Sequence, residues 1–368
     1  MALRKVIISG GGTGGHIYPA LAIAEEIKQR FPEVDILFVG AIGRMEMEKI
    51  PAEGYPIEGL WITGIERKIF SKKNLSFPFK LISSLTKAKT IIKKFKPEVV
   101  IGVGGFASGP LLHVASKRGI PTLIQEQNSF PGITNRILAK KVDRICTGFD
   151  NMNHWFPKAK TRYTGNPIRM GVLKAEESAS NARAHFSLDE NKPTVFIMGG
   201  SLGAASINKA VQIHLAKLSE AGIQVLWQTG KRYLPEVEAW LAAQKITGVV
   251  ATDFISRMDL AYIAADVIVS RAGAMSIAEL AIVGKPCVLV PSPNVSEDHQ
   301  TKNALSMTES GAAILLKDQE LDEKLGETLH QLMTDKSAYE QMASAMKKLA
   351  RPKAAAAVVD EIIDLCKA

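Results

Sequence analysis

Short apolar runs alternate with helical patterns along the whole chain. In the first half the runs are KVIIS, DILFV, EVVIGV, PTLI and DRICT; in the second they are TVFIM, IQVLWQ, GVVA, DVIVS and PCVLVP. Runs of this length, separated by segments whose apolar residues recur three and four apart, predict buried parallel strands covered by helices on both faces. The fold class expected is α/β.

One segment of this pattern occurs twice. Lys5 to Ser9 leads into GGGTGGH and a helical pattern with Ile17, Leu21, Ala24 and Ile27 on one face. Thr194 to Met198 leads into GGSLGA and a helical pattern with Ile207, Val211, Leu215 and Leu218 on one face. Gly11 and Gly199 stand 188 residues apart, about half the chain, so two similar α/β domains in tandem are expected. Their join falls between the turn signal Gly165-Asn166-Pro167 and the polar stretch Lys174 to Lys192.

Composition narrows the class. Of 368 residues, 46% are apolar and 23% charged, an ordinary globular balance with enough apolar residues for two cores. Three scattered cysteines, Cys146, Cys287 and Cys366, fit neither a disulfide framework nor zinc-ligand spacing. The N-terminal segment lacks the apolar stretch and cleavage site of a signal peptide, and no run reaches the length of a bilayer-spanning helix, so any membrane contact is expected to be peripheral. Net charge is +9, and Arg67 to Lys96 holds ten cations and no acid, leaving 36 basic and 37 acidic residues elsewhere. In that segment the cations interleave with Phe70, Leu75, Phe77, Phe79, Ile82 and Leu85. The pattern suits anionic lipid headgroups; a lysine-rich solvated helix from about Leu81 to Phe95 and a nucleic-acid surface are the alternatives.

The candidate chemistry gathers at glycine turns. A strand that turns through glycines into a helix aims backbone N–H groups and a positive dipole end at one point, which suits phosphate. Gly10, Gly12 and Gly15 match the spacing of a dinucleotide site, but the next strand opens with Asp35 and ends at Gly40, without the terminal acid that would hold a ribose. A dehydrogenase is therefore disfavoured. A third glycine cluster, Gly102 to Gly109, follows another strand and belongs at the same carboxyl edge. His16 sits at a helix start, where the dipole favours neutral imidazole, and is a candidate general base. Arg169 at the domain join can reach a ligand phosphate or form an interdomain ion pair. Glu279, on a helix that opens after DVIVS and closes at Gly284, can accept from vicinal hydroxyls. The loop PSPNVSEDHQ offers Asp298, His299 and Gln300 to sugar hydroxyls, but adjacent Asp298 and His299 make a poor metal site, so no metal is expected.

Taken in order, GGTGGHIYPALAIAEEI, VGGFASGP, EQNSFPGITN, GNPIR, GGSLGAASIN, DFISRM, SRAGAMSIAEL and EDHQTKNA resemble the MurG family of bacterial N-acetylglucosaminyltransferases across nearly the whole chain. The resemblance implies a GT-B fold, two Rossmann-like parallel-sheet domains facing a cleft, with an acceptor and membrane-binding domain over 1–165, a UDP-sugar domain over 166–346, and a helix over 347–368 crossing back to the first domain. It implies transfer of N-acetylglucosamine from UDP-N-acetylglucosamine to the 4-hydroxyl of lipid I, with inversion, and without metal or cofactor.

By the same resemblance, Ile255 meets uracil through its backbone and Glu279 the ribose. Ser201, its glycine turn and Arg169 meet the diphosphate, and Ala274, Met275 and Ser276 line the pocket. Gln300, Thr13, Gly14, Gly15 and Asn128 approach the sugar, Gly104 and Gly105 the acceptor diphosphate, and His16 is the base. The candidate membrane contact, read from the basic segment itself, comprises Phe70, Lys72, Lys73, Leu75, Phe79, Lys80 and Ile82. Partners implied are lipid I, an anionic membrane surface at the cytoplasmic face of the cell membrane and other cell-wall synthesis proteins, but no nucleic acid. Two positions depart from the family pattern: Gln125 stands where a His is frequent, and His299 where a Gln sometimes precedes Gln300. Another GT-B lipid glycosyltransferase and a UDP-sugar epimerase are the alternative readings.

Overall fold

The computed structural model describes residues 3–64, 72–169, 176–200 and 202–367. They form two units, one of 1–169 with 351–368 and one of 170–350.

The first unit begins β1 (Lys5–Ser9), α1 (Gly14–Arg30), β2 (Asp35–Ala41), α2 (Glu46–Ala52) and β3 (Ile57–Leu60). It continues α3 (Lys72–Phe95), β4 (Val99–Gly102), α4 (Ser108–Lys117), β5 (Thr122–Glu126), α5 (Ile133–Leu138), β6 (Arg144–Thr147) and β7 (Thr161–Tyr163). The seven strands pair in parallel in the order β3-β2-β1-β4-β5-β6-β7. Alternation along β1 divides the core: Val6 and Ile8 pack with Ile17, Leu21 and Ile27 of α1, whereas Ile7 packs with Leu111 and Leu112 of α4 on the other face.

The second unit holds α6 (Ala179–His185), β8 (Thr194–Met198), α7 (Ala205–Glu220), β9 (Gln224–Gln228), α8 (Leu234–Gln244), β10 (Val249–Thr252) and α9 (Met258–Ala264). β11 (Val267–Arg271), α10 (Ala274–Val283), β12 (Cys287–Val290), α11 (His299–Glu309), β13 (Ile314–Leu315), α12 (Leu321–Thr334) and α13 (Lys336–Leu349) complete it. Its six strands are parallel in the order β10-β9-β8-β11-β12-β13. Ile207, Val211, Leu215 and Leu218 of α7 are buried, the face the repeated pattern predicts.

The internal echo is thus a repeated topology. Each sheet runs outward from a central strand, β1 or β8, and reverses to β4 or β11, so each has a switch point where two strand-to-helix turns lie side by side.

Two elements differ from the pattern read in sequence. The basic helix begins at Lys72 rather than near Leu81 and contains Pro78, because Phe77, Leu81 and Leu85 pack on the core while Ala88 and Ile92 are buried. Packing of that face overrides the local signal of the proline. The expected helix over 347–368 is interrupted: α13 ends at Leu349, and after Pro352 a separate helix, α14 (Ala354–Lys367), packs on α1. Val358, Val359 and Ile362 are fully buried there, each worth about 1.5–3 kcal/mol of burial. Arg30 pairs with Asp360 at 2.5 Å and Arg144 with Glu361 at 2.7 Å.

Candidate functional site

In the first unit, the β1–α1 and β4–α4 turns share the switch point. Thr13, in extended backbone conformation, precedes α1 and makes no side-chain cap bond to it; Gly14 and Gly15 form the first helical positions, and His16 follows. The imidazole is half-buried, and its Nδ1 lies 2.9 Å from the Gly11 carbonyl and 3.5 Å from the Thr13 hydroxyl. A carbonyl only accepts, so the Gly11 contact places the neutral ring's proton on Nδ1 and its lone pair on Nε2. Gly104 and Gly105 both have positive φ, 96° and 88°. A Cβ on Gly104 would stand 2.6 Å from His16 Cδ2, and one on Gly105 2.6 Å from the Gly11 carbonyl oxygen, so only glycines let the second turn approach this closely. Ser108 ties the turns together, donating to Gly104 O at 2.9 Å and Ser9 O at 3.0 Å.

Asn128 follows β5. Its backbone and side-chain nitrogens donate to Glu126 Oε1 at 3.0 and 3.3 Å, while Glu126 Oε2 accepts from Gly132 N and from Asn135 Nδ2. Behind it, Gln125 donates to Asn166 Oδ1 at 3.0 Å, Asn166 donates to Gln127 O, and Gln127 donates to Val103 O. Gln125 therefore supports the turn of the GNPIR segment.

In the second unit the β8–α7 turn opens a helix whose N-cap, Ala204, has no side-chain acceptor for the first-turn N–H groups. Across β9, buried Gln228 donates Nε2 to Gly200 O at 3.2 Å and accepts from Ile255 N at Oε1, also 3.2 Å. The side chain thus links the glycine turn to the segment that carries Ile255. Gly273 opens α10, which carries Ala274, Met275, Ser276 and Glu279. Glu279 accepts from the buried Tyr262 hydroxyl at 2.7 Å. Burial pushes its carboxyl above the usual range, against the opposing pull of the Tyr262 bond; burial likewise raises the Tyr262 phenol. Gln300 Oε1 accepts from Ser292 N at 2.8 Å, folding the polar loop onto the start of α11. Before it, Glu297 and Asp298 both adopt positive φ.

Arg169 lies in the first unit and is held there by two carboxylates, bidentate to Glu53 at 3.0 and 2.9 Å and to Glu25 at 2.6 Å. On α3, Leu75, Phe79 and Ile82 are 70, 71 and 64% exposed and fall on one stripe at i, i+4 and i+7 spacing. Lys80 Nζ stands 5.7 Å from the centroid of the exposed Trp61 ring. Ser201, Phe70 and the side chains of Lys72 and Lys73 lie outside the described residues. Among the described residues, no three His, Cys, Asp or Glu side chains cluster as metal ligands, and no helix is long and apolar enough to cross a membrane.

Four residues that sequence reasoning missed support these turns: Glu46, Glu126, Gln228 and Tyr262. Each is a buried or nearly buried polar side chain, and their partners lie far off in sequence or across a turn. The legible signals were weak: a glutamate early in a helix after a strand, and a glutamine ending the apolar run IQVLWQ.

Two doubly wound parallel units, each with glycine turns opening helices at its switch point, define the class of tandem Rossmann-like α/β proteins. Within that class the chain belongs to glycosyltransferase family 28. The model of that family's N-terminal domain matches residues 6–147 and that of its C-terminal domain residues 194–358. A relative from Christiangramia forsetii, named UDP-N-acetylglucosamine--N-acetylmuramyl-(pentapeptide) pyrophosphoryl-undecaprenol N-acetylglucosamine transferase, is 53% identical over 97% of this chain and 96% of its own. A relative of the same name from Parabacteroides distasonis is 46% identical over 99% of each. Among solved structures, Acinetobacter baumannii MurG has a TM-score of 0.81 at 30% identity, covering 98% of this chain and 99% of that one. A UDP-N-acetylglucosamine 2-epimerase shares the fold alone, with a TM-score of 0.62 at 14% identity and coverage of 98% and 95%.

Proposed function

We propose that this chain transfers N-acetylglucosamine from UDP-N-acetylglucosamine to the 4-hydroxyl of the N-acetylmuramoyl residue of lipid I. The observation that carries the reading is full-length identity of about half the residues to transferases of that name. The epimerase alternative has only a fold in common with this chain.

The residues supply a route. The acceptor 4-hydroxyl gives its proton to His16 Nε2, the ring nitrogen left basic by the Nδ1 contact to Gly11. Its oxygen attacks the anomeric carbon as the bond to UDP breaks, and the electron pair leaves on the β-phosphate oxygen. One displacement converts an α-linked donor into a β-linked product. Uracil lies at Ile255, the ribose hydroxyls at Glu279, and the diphosphate on the turn from Gly199 to Ala204, with Ala274, Met275 and Ser276 lining the pocket. The positive end of α7 meets the charge that develops on UDP, so no metal ion or cofactor is required. Arg169 is assigned to the diphosphate as well, which requires it to exchange Glu53 and Glu25 for phosphate oxygens. Thr13, Gly14, Gly15, Asn128 and Gln300 serve the transferred sugar, and Gly104 and Gly105 the acceptor diphosphate.

The acceptor is a lipid, so the enzyme works as a peripheral protein at the cytoplasmic face of the cell membrane. The exposed stripe Leu75, Phe79 and Ile82, beside the cations of α3, supports that contact. Phe70, Lys72, Lys73 and Lys80 belong to the same proposed surface.

The test is UDP release from UDP-N-acetylglucosamine with metals chelated, with and without a lipid I analogue. Release that requires the analogue and leaves the sugar on it supports the reading; sugar conversion without acceptor overturns it.

A further inference from the structure

Glu46 is an acid in an unusual place. It stands at the start of α2, yet is only 1% exposed, and its carboxylate reaches back to the β1–α1 turn. Oε2 accepts from Gly12 N at 2.7 Å and Oε1 from Ala41 N at 3.0 Å. Two glycines make the room. A Cβ on Gly11 would fall inside the carboxylate, and one on Gly40 would stand 2.6 Å from Glu46 Cγ.

The Gly12 nitrogen and the Gly11 carbonyl are two ends of one peptide group. That N–H donates to Glu46, and that C=O accepts from His16 Nδ1 at 2.9 Å. A carboxylate, a single peptide and an imidazole are therefore connected in series. Hydrogen bonds in such a chain polarise one another, so a negative charge at the N–H end makes the carbonyl a stronger acceptor and favours the proton on Nδ1. A second charged side chain of the β2–α2 segment, Arg44, lies with its guanidinium carbon 6.0 Å from the Phe106 ring centroid on the β4–α4 turn.

We propose that Glu46 is a positioning residue for His16, acting through the Gly11–Gly12 peptide to fix the imidazole's tautomer and raise the basicity of Nε2. Glu46 also occupies, with the protein's own carboxylate, a backbone donor of the kind that a Rossmann turn offers to a pyrophosphate. The first glycine turn is thereby committed to holding a base. Of the two repeated turns, the second-unit one, with Ala204 at its N-cap, has no side-chain acceptor of its own on the helix that it opens. The catalytic meaning of this relay rests on His16 being the base; the relay itself does not.

The experiment is nitrogen NMR of the histidine side chains in the full chain, wild type against Glu46→Gln, with the His16 resonances identified by their loss in His16→Gln. Glutamine keeps the size but removes the charge and turns an N–H2 toward one of the two backbone donors. The expected wild-type ring carries its proton on Nδ1. In Glu46→Gln the His16 midpoint falls by about 0.5–1 pH unit and the Nε2–H tautomer gains population. An unchanged midpoint and tautomer in a folded variant overturns the proposal. If Glu46→Gln does not fold, the wild type decides: the Gly12 amide proton shift should follow the His16 titration, and a Gly12 resonance indifferent to it overturns the relay. No substrate enters these measurements, so they stand even where transfer to lipid I is not observed. In the transferase assay, Glu46→Gln should lower kcat about tenfold and move the acid limb of kcat/KM down with the imidazole midpoint, leaving the KM for UDP-N-acetylglucosamine unchanged. Glu46→Asp keeps the charge and should restore the acid limb toward the wild-type position.

Discussion

Gln228→Leu separates two segments that the donor site needs together. In the structure the Gln228 amide joins Gly200 O to Ile255 N, both at 3.2 Å. Leucine has similar bulk and leaves both backbone groups without that partner. Gly200 is exposed, so water replaces its bond at little cost, whereas Ile255 is 3% exposed and its N–H loses a buried acceptor. The stability loss is then about 1–3 kcal/mol, carried by the Ile255 N–H. For a unit of this size that lowers Tm by about 2–12 °C. If the two segments bind uracil and diphosphate, loss of their common anchor should weaken UDP binding by about tenfold, or 1.4 kcal/mol. Calorimetric titration with UDP, alongside thermal unfolding, reads both quantities. Gln228→Glu keeps an acceptor for Ile255 N but sets a carboxylate oxygen against Gly200 O, and should recover part of the stability without the full affinity. A Tm loss of the expected size with UDP affinity unchanged would refute the coupling and leave Gln228 a purely structural residue.

Further outcomes are expected. His16→Ala should reduce transfer at least about 10²-fold while leaving UDP affinity near wild type; weakened UDP binding with normal turnover would contradict its role. Glu279→Gln should raise Tm at neutral pH while weakening UDP binding. The sign follows from the raised carboxyl of Glu279: burial opposes its charge, so the folded state holds the proton more tightly than the unfolded chain does. Wild-type stability from this group is therefore present below the unfolded carboxyl pKa and lost as pH rises through the folded one. The advantage of the glutamine should shrink as pH falls toward 4, and a variant advantage independent of pH would refute the assignment. Replacing Leu75, Phe79 and Ile82 together with Ser should reduce binding to anionic vesicles by about 10²-fold or more, with solution activity on a soluble acceptor retained. Unchanged vesicle binding would eliminate the stripe as the membrane contact.

Much of the fold was legible because parallel strands buried on both faces appear in sequence as uninterrupted Val- and Ile-rich runs. Val6, Ile7 and Ile8 are such a run, and the helix faces of α1 and α7 follow the 3.6-residue period. The glycine turns were legible too, since close approach at Gly104 and Gly105 excludes any side chain. Helix ends were less so. Pro78 sits inside α3 because the core holds the helix on both sides of it, and the break at Pro352 falls within an alanine-rich stretch whose period continues beyond it. Supporting polar groups were hidden for a different reason. Gln228 and Glu46 acquire meaning only when strands and turns meet: Gln228 at the end of β9 bonds partners 27 and 28 residues away, and Glu46 one 34 residues away. Arg169 was read with an external phosphate or an interdomain partner in view, and the structure gives it Glu25 and Glu53 of its own unit.

The central step is a single inverting displacement onto the lipid-linked sugar. Product from UDP-N-acetylglucosamine and a lipid I analogue, made with metals chelated and examined by proton and carbon NMR, tests this directly. The expected product is N-acetylglucosamine β-linked to O4 of the muramoyl residue, with one UDP released per linkage. An α-linked product, attachment at another hydroxyl, or altered sugar formed without acceptor would contradict it.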